Sequence, residues 1–546
     1  MTQTSEPGHD HRVRDVVSLE EAGSGRYKKG RRGVFGVPGR RFQRCHLGMR
    51  MDRGARFGSS NQRASLTKLG LLVLVVGLLA ACATRFGPTA TGAGAMPRDA
   101  ALQQWRAKVE RAREVPREGP LTAERAVEEA LQASPELEQM RQRMRAAAEQ
   151  VRQVEATFYP RLVVAEDFNI TNNAVFALMN IINQRRFRPD IDFNEPGTEQ
   201  NFGSRLRGEW ALFEGGSRWQ ERRAALAQER SIGAEWQAAR NQLVARVTEI
   251  YYQWLQALAF IGVAEKAFES AQADERLGEA RVRADAALPS ELLRLKARRA
   301  EARGNVVTAQ SNALKLQAGL ERLLARPIVP AEIPDPGIVP PVMQTDVPPG
   351  DSDRNIAIAL EKRPEMAAAR SLIEAARARV RATQGGFLPR LGVNADYLLD
   401  SETLGKFTDS WYVGIQATWP LFEGGLSVSR MEEARSRLKE MESRSDQVAL
   451  DIALEVNQAT LAVQEAAEKI RVAGERKAWA EKALDEVRHI YSRQAATVDS
   501  LLQAEVAWNQ AEVAYTAALF DGKIAQAFLR RALGDFADEL AGRSEE

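Results

Sequence analysis

The residue types that carry most protein chemistry are scarce in this chain. Its 546 residues hold two cysteines, Cys45 and Cys82, and four histidines, His9, His11, His46 and His489. After residue 82 a single histidine and no thiol remain. Thiolate or imidazole metal centres, disulfide frameworks and Cys/His nucleophile pairs therefore have almost nothing to be built from within one chain. Neither a metal site nor a cofactor is expected. Carboxylates and arginines are plentiful, but they sit in Ala/Glu/Arg-rich stretches of helical period, where charge is mostly solvated surface. No nucleophile–base arrangement stands out, so the chain does not read as an enzyme.

The formal charge of +3 is set by the first residues. Residues 1–81 carry 15 Lys/Arg against 6 Asp/Glu, which leaves the rest mildly acidic and gives a nucleic-acid role no support.

Cys82 is the one thiol with a chemical context. Lys68 is followed by Leu69-Gly-Leu-Leu-Val-Leu-Val-Val-Gly-Leu-Leu-Ala-Ala81, and then by the cysteine. A basic flank, a short apolar run and small residues describe a secretory signal peptide, and the run is too short to span a bilayer core of about 30 Å. Leu79-Ala-Ala-Cys82 resembles the bacterial lipobox, which implies acylation of Cys82. Several acyl chains on one residue would anchor stably. On this reading residues 51–81 are the lipoprotein signal peptide and residues 82–120 a lipidated tether with one short helical run over 100–113. Residues 1–50 are Gly/Arg-rich and aperiodic, and are expected to be disordered or outside the mature protein, with translation starting at Met49 or Met51.

The rest of the chain is two copies of one unit. Ala211-Leu-Phe-Glu-Gly-Gly216 returns as Pro420-Leu-Phe-Glu-Gly-Gly425, and Phe158-Tyr-Pro-Arg-Leu162 as Phe387-Leu-Pro-Arg-Leu391. Such self-similarity dominates any reading of the fold. Each copy begins with short capped helices, at Thr122 and Pro135 in the first and near Arg354 and Pro364 in the second. The period then changes from 3.6 to 2. Strands are expected over residues 161–171 and 202–213 in the first copy and 390–400 and 411–422 in the second. The polar segment between the first two strands contains Pro189 and Pro196 and is read as loop.

Each strand has about the length a tilted strand needs to cross a bilayer. Trp411 and Trp419 on one face fit aromatic girdles. Arg205, Arg207 and Glu209 then fall on a lumen side or pair with one another. Long helices are expected over 217–286, 290–324, 426–494 and 498–533, with a seam through Ile452, Val456, Ala459, Val463, Ala466, Ile470, Leu484 and Tyr491 at coiled-coil spacing. Proline-rich residues 326–351 link the first unit, 121–325, to the second, 352–536, and residues 537–546 form a tail. The paired glycines Gly215, Gly216, Gly424 and Gly425 permit the sharp change from strand to helix.

Four strands cannot close a barrel, and an open edge cannot face lipid. The expected fold is therefore mainly α with a transmembrane β-barrel contribution. A trimer would give a twelve-stranded barrel continued by a long α-helical tube.

The duplicated strand-strand-helix-helix unit, the Leu-Phe-Glu-Gly-Gly junction, the Phe-x-Pro-x-Leu strand start and the final Ala-Leu-Gly resemble the outer-membrane efflux protein family typified by TolC, and the lipobox its lipoprotein branch typified by OprM. The resemblance implies a homotrimeric exit duct in the outer membrane, lipid-anchored and extending into the periplasm. It would work with a periplasmic adaptor and an inner-membrane transporter, as multidrug efflux or alternatively as metal-cation efflux or type I protein secretion. A periplasmic coiled-coil scaffold lipoprotein is the reading of a different class.

The resemblance also implies a gate at the helical tips. Asp499 falls on the position of a family aspartate ring, whereas Leu502 occupies the place of a second. Asp499 reads equally as a helix cap. Asp499, Arg493, Tyr491 and Arg283 are the pore or gate candidates. Leu288, Ser290, Leu292, Thr497 and Leu501 are the adaptor-contact candidates, with coiled-coil packing as the alternative for the leucines.

Overall fold

The computed structural model describes residues 119–335, 352–493 and 495–534, with Gln103, Arg106, Ala107 and Glu110. The expected leader, the lipidation site Cys82, most of the tether, much of the proline-rich linker and the tail lie outside the described residues.

Two short helices open the first repeat, α1 (Ala123–Ala133) and α2 (Pro135–Ala156). Thr122 caps α1 by accepting from the Arg125 amide at 3.3 Å, and Ser134 caps α2 from Leu137 at 3.3 Å, with Pro135 at the first helical position. Then follow β1 (Arg161–Thr171), α3 (Ala174–Asn183), β2 (Glu199–Glu214) and the hairpin of α4 (Ser217–Arg283) and α5 (Pro289–Leu324). The second repeat runs α6 (Ser352–Lys362), α7 (Pro364–Gln384), β3 (Arg390–Ser401), β4 (Thr408–Thr418), α8 (Leu426–Ser492) and α9 (Val498–Leu533). Gly534 ends α9 at φ 86° in the left-handed region.

The strands form one antiparallel sheet of order β1-β2-β3-β4. Its register gathers most of the apolar side chains on one face, which the row Glu166, Ser204, Leu399 and Asp409 interrupts, Ser204 donating to Glu166 Oε2 at 2.5 Å. Val164, Leu206, Tyr397 and Trp411 make one cross-sheet row, and Leu162, Phe168, Ile170, Trp210, Val413 and Ile415 lie on the same face with their side chains exposed. Leu162 is 72% and Ile415 74% accessible, so this apolar face has nothing against it within the chain. Asp167, Arg205, Arg207 and Asp396 occupy the opposite face. There Arg207 Nε donates to Asp396 Oδ1 at 2.8 Å, joining the two repeats.

Both repeats pin the start of their first strand in the same way. Trp210 Nε1 donates to the Phe158 carbonyl at 2.9 Å, and Trp419 Nε1 to the Phe387 carbonyl at 3.1 Å.

Three details depart from the sequence expectation. The segment read as loop between β1 and β2 contains α3, whose helix Asn173 caps by accepting from Val175 and Phe176. Strand β2 is longer than expected and pairs with β3 as far as Glu214, past an irregularity between Ala211 and Phe213. Strand β4 runs from Thr408 to Thr418 rather than over 411–422, ending where its partner Arg390 is the first residue of β3; β2 goes past the equivalent point only because β3 pairs with it on its other side.

The helices α4 and α8 each have 67 residues and α5 and α9 each have 36. At about 1.5 Å per residue the longer pair reach ~100 Å. Their cores are seams rather than globular interiors. One centres on Trp254, Val247 and Leu320 of the α4/α5 hairpin, with Tyr251 donating to the Leu121 carbonyl at 2.8 Å. Another takes Ile452, Val456 and Val463 of α8 against Leu529 of α9, as the seam spacing anticipates. Lys477 of α8 pairs with Glu512 of α9 at 2.8 Å. Among the described residues no helix is long and apolar enough to cross a membrane.

Candidate functional site at the helical tips

Each hairpin ends in a tight turn. In the first, α4 closes at Ala284, Asp285 follows with φ 56°, and Leu288 leads into α5 with Pro289 in its first turn. In the second, Thr497 caps α9 by accepting from the Ser500 amide at 3.2 Å. The cap is therefore Thr497, and Asp499 is left free of that task in the first turn. Its Oδ1 accepts from Arg294 Nη1 of the other hairpin at 2.5 Å. Both side chains are more than half exposed.

The remaining tip candidates divide by burial. Arg283, Leu288, Ser290, Arg493 and Thr497 are exposed, and Leu292 is half-buried. Leu501 and Tyr491 are not at the surface: they are 0% and 1% accessible, packed with Leu295, Leu484 and Val498. Leu501 thus has no face to offer an adaptor, and Tyr491 none to a pore, within this arrangement of the chain. Hairpin geometry explains this, since each lies one helical turn from its tip on the inward stripe. The Arg281 guanidinium lies over the Tyr491 ring, 4.5 Å from its centroid. Burial raises the Tyr491 hydroxyl pKa, with the Arg281 charge opposing.

Further from the tips is a polar cluster that the sequence reading did not single out. Asp274 of α4 and Glu505 of α9 are buried, at 7% and 4% accessibility. Ser270 donates to Glu505 Oε1 at 2.8 Å, and Arg488 of α8 reaches Ser270, Glu505 at 3.1 Å and Asp274 at 3.8 Å. Arg298 of α5 stands 4.0 Å from Glu505, so all four long helices contribute. Burial, then a hydrogen bond with Glu505 and its charge, push the Asp274 carboxyl pKa far above the usual carboxylate range. Asp274 Oδ2 accepts no hydrogen bond, the Arg488 guanidinium standing 3.8 Å from it. Once protonated, Asp274 can itself donate to Glu505.

The cluster has a sequence signal. Asp274 continues the buried series Ala267, Ala271 and Gly278 at steps of three and four, and Glu505 stands four residues after Leu501. Charges at seam positions are the mark of a polar node.

At the opposite end of the long helices lie the paired glycines. Gly215, Gly216, Gly424 and Gly425 have φ of 61°, 80°, 60° and 87°, a region that L side chains rarely adopt. Gly215 also lies against the Gly385 backbone with no room for a Cβ. Arg218 braces the same junction, donating to the Thr157 carbonyl at 2.6 Å and pairing with Glu214 at 2.8 Å.

No group of three or more His, Cys, Asp or Glu side chains is placed to hold a metal among the described residues. The geometry is that of a two-faced sheet set on long hairpins, with the exposed Arg294–Asp499 ion pair joining the two near their tips.

Known proteins share this plan. The fold resembles the outer membrane channel CmeC of Campylobacter jejuni with a TM-score of 0.67 at 16% identity, covering 78% of this chain and 88% of that one. It also resembles the outer membrane protein VceC of Vibrio cholerae with a TM-score of 0.65 at 20% identity, covering 76% and 96%. Among curated proteins, the alkaline protease secretion protein AprF of Pseudomonas aeruginosa is 26% identical over 254 residues, 45% of this chain. That match spans about half of AprF, 52% of its length. A family model described as outer membrane efflux protein matches residues 126–326 and 355–535, one match to each repeat. The chain belongs to the outer membrane efflux protein family.

Proposed function

We propose that three copies close their sheets into one twelve-stranded barrel in the outer membrane, lipid-anchored through acylated Cys82, and that the long helices continue it as a tube into the periplasm. The assembly is the passive exit duct of a tripartite efflux pump. The observation that carries this is the sheet itself, with exposed apolar side chains over one face, broken by the Glu166–Ser204 pair, mainly polar and charged groups over the other, and β1 and β4 open at its two edges. Lipid accepts the apolar face but no open edge, so β4 of one copy meets β1 of the next. The duct binds no cofactor and performs no catalysis.

A periplasmic adaptor and an inner-membrane transporter supply energy and substrate at the tips. Asp499, Arg493 and Arg283 face the opening there, and Leu288, Ser290, Leu292 and Thr497 meet the adaptor. Multidrug efflux is the preferred substrate class. Protein secretion is the second reading, favoured by the name of AprF. Metal-cation efflux would use the same structure. A soluble scaffold is disfavoured by the uncovered apolar face.

Two measurements test the duct. Detergent-solubilised protein should have the mass of three chains, and it should give discrete conductance in planar bilayers that deletion of residues 411–421 abolishes. Extraction as a monomer without detergent would overturn the reading.

A further inference from the structure

Helix α3 has two faces and uses one. Ala177, Asn180 and Ile181 are buried, whereas Val175, Phe176, Met179 and Ile182 are exposed at spacings that place them on one stripe. Its buried side is fastened to the polar face of the sheet. Asn180 donates to Asn169 Oδ1 at 2.8 Å, and Gln184, just past the helix, donates to Asn201 Oδ1 at 3.0 Å and the Gln200 carbonyl at 2.7 Å. Asn169 and Asn201 are opposed in the β1–β2 register, on the face that carries Asp167, Arg205 and Arg207. Thr408, at the start of β4, donates to the Asn183 carbonyl at 2.7 Å. The helix therefore lies across the strand ends farthest from the long helices, on the side away from Leu162 and Ile170.

That placement decides what covers the exposed stripe. Lipid would meet the other face of the sheet, so the stripe points into the lumen. Twelve strands spaced about 4.8 Å apart and tilted about 40° enclose a backbone radius of ~12 Å. A helix about 10 Å wide lying on the inner wall takes most of that radius. Three such helices cannot stay apart, and residues 174–183 contain no charge to hold them apart by repulsion.

We propose that the α3 helices of three copies meet on the barrel axis through Val175, Phe176, Met179 and Ile182. They form an apolar collar that constricts the outer mouth, in a lumen whose wall otherwise carries mainly polar and charged side chains. The inference rests on the trimeric barrel proposed above. Two gates then lie in series, a polar latch at the tips and an apolar one at the mouth. The collar would yield to apolar solutes more readily than to hydrated ions.

Single-thiol chains that keep the acylated Cys82, which offers no free thiol, test it, with Cys45 replaced by serine and Met179→Cys or Phe176→Cys introduced. Purified protein is treated with oxidant or with a bis-maleimide of about 10 Å reach, a span chosen to match packed helices. Its native mass is measured in the same sample. Covalent dimers are expected from both variants, and none from Val413→Cys on the outer face. Trimeric mass without cross-linking at either position would overturn the collar and leave the duct standing. Monomeric mass would overturn the duct and the collar with it.

Discussion

Gly215 and Gly385 touch backbone to backbone, so that a Cβ on Gly215 would overlap the Gly385 carbonyl. The contact joins the end of the first repeat's second strand to the end of α7 in the second repeat. Its counterpart, Gly424, has nothing within 4 Å of an added Cβ. Carrying the first repeat's geometry across the duplication puts Ala156 of a neighbouring copy where Gly385 stands. Gly215→Val should therefore fail within a single chain, lowering its melting temperature by several degrees or more. Gly424→Val should keep helical circular dichroism but lose trimeric mass, beyond an αL penalty of about 1–2 kcal/mol. Equal stability loss in both variants would contradict this division.

The same transfer sets the register between copies. Within the chain Arg207 opposes Asp396, and the equivalent pair at the β4–β1 contact is Gln416 with Asp167. A Gln416→Cys/Asp167→Cys double variant should form disulfide-linked dimers and trimers on non-reducing gels, whereas a pair shifted by one residue, Ile415→Cys/Asp167→Cys, should not.

Loss of Arg294 should loosen the tips. The Arg294–Asp499 pair is exposed and worth at most about 1 kcal/mol, so Arg294→Ala should leave the melting temperature nearly unchanged. Its effect belongs in single-channel records, as a several-fold rise in open probability. Asp499→Asn should reproduce the rise, and the double variant should add little to either.

The buried node predicts a pH response with a defined sign. Asp274 keeps its proton in the folded chain above the pH at which the unfolded carboxyl, near 3.9, gives it up. The folded state then binds more protons, so its stability is greatest in acid and falls as pH rises toward the raised pKa of about 8. Asp274→Asn removes the titration. Hydrogen exchange of the α4 and α9 segments at pH 5, 7 and 9 should speed up with pH beyond the intrinsic rate in the parent and stay level in the variant. Identical profiles would show that Asp274 does not titrate there.

How much of this was legible depended on range. The strands and long helices were readable because period 2 and period 3.6 are local signals, and Thr122, Ser134, Pro135 and Gly534 mark helix ends by local chemistry. Helix α3 was not. Its ten residues, AVFALMNIIN, are apolar nearly all round, so no amphipathic period sets them off from an irregular segment. The end of β4 was overrun because alternation continues through Trp419 and Leu421 while the pairing stops at Thr418, opposite the first residue of β3.

Of the tip, the sequence reading pointed to Asp499 but not to Arg294, which is 205 positions away. Nothing local says which turn of one hairpin lies beside which turn of the other. Asp274 and Glu505 stood on readable seams, yet only the packing of four helices makes them neighbours.

The equal lengths of α4 and α8, 67 residues each, and of α5 and α9, 36 each, bear on how such a chain can change through descent. A heptad inserted into one long helix alone would carry its turn about 10 Å past the other, separating Arg294 from Asp499 and Asp274 from Glu505. Any viable lengthening has to be entered four times, in both arms of both hairpins. The duplication thus makes the reach of the tube a trait inherited whole, one that single insertions cannot adjust by degrees.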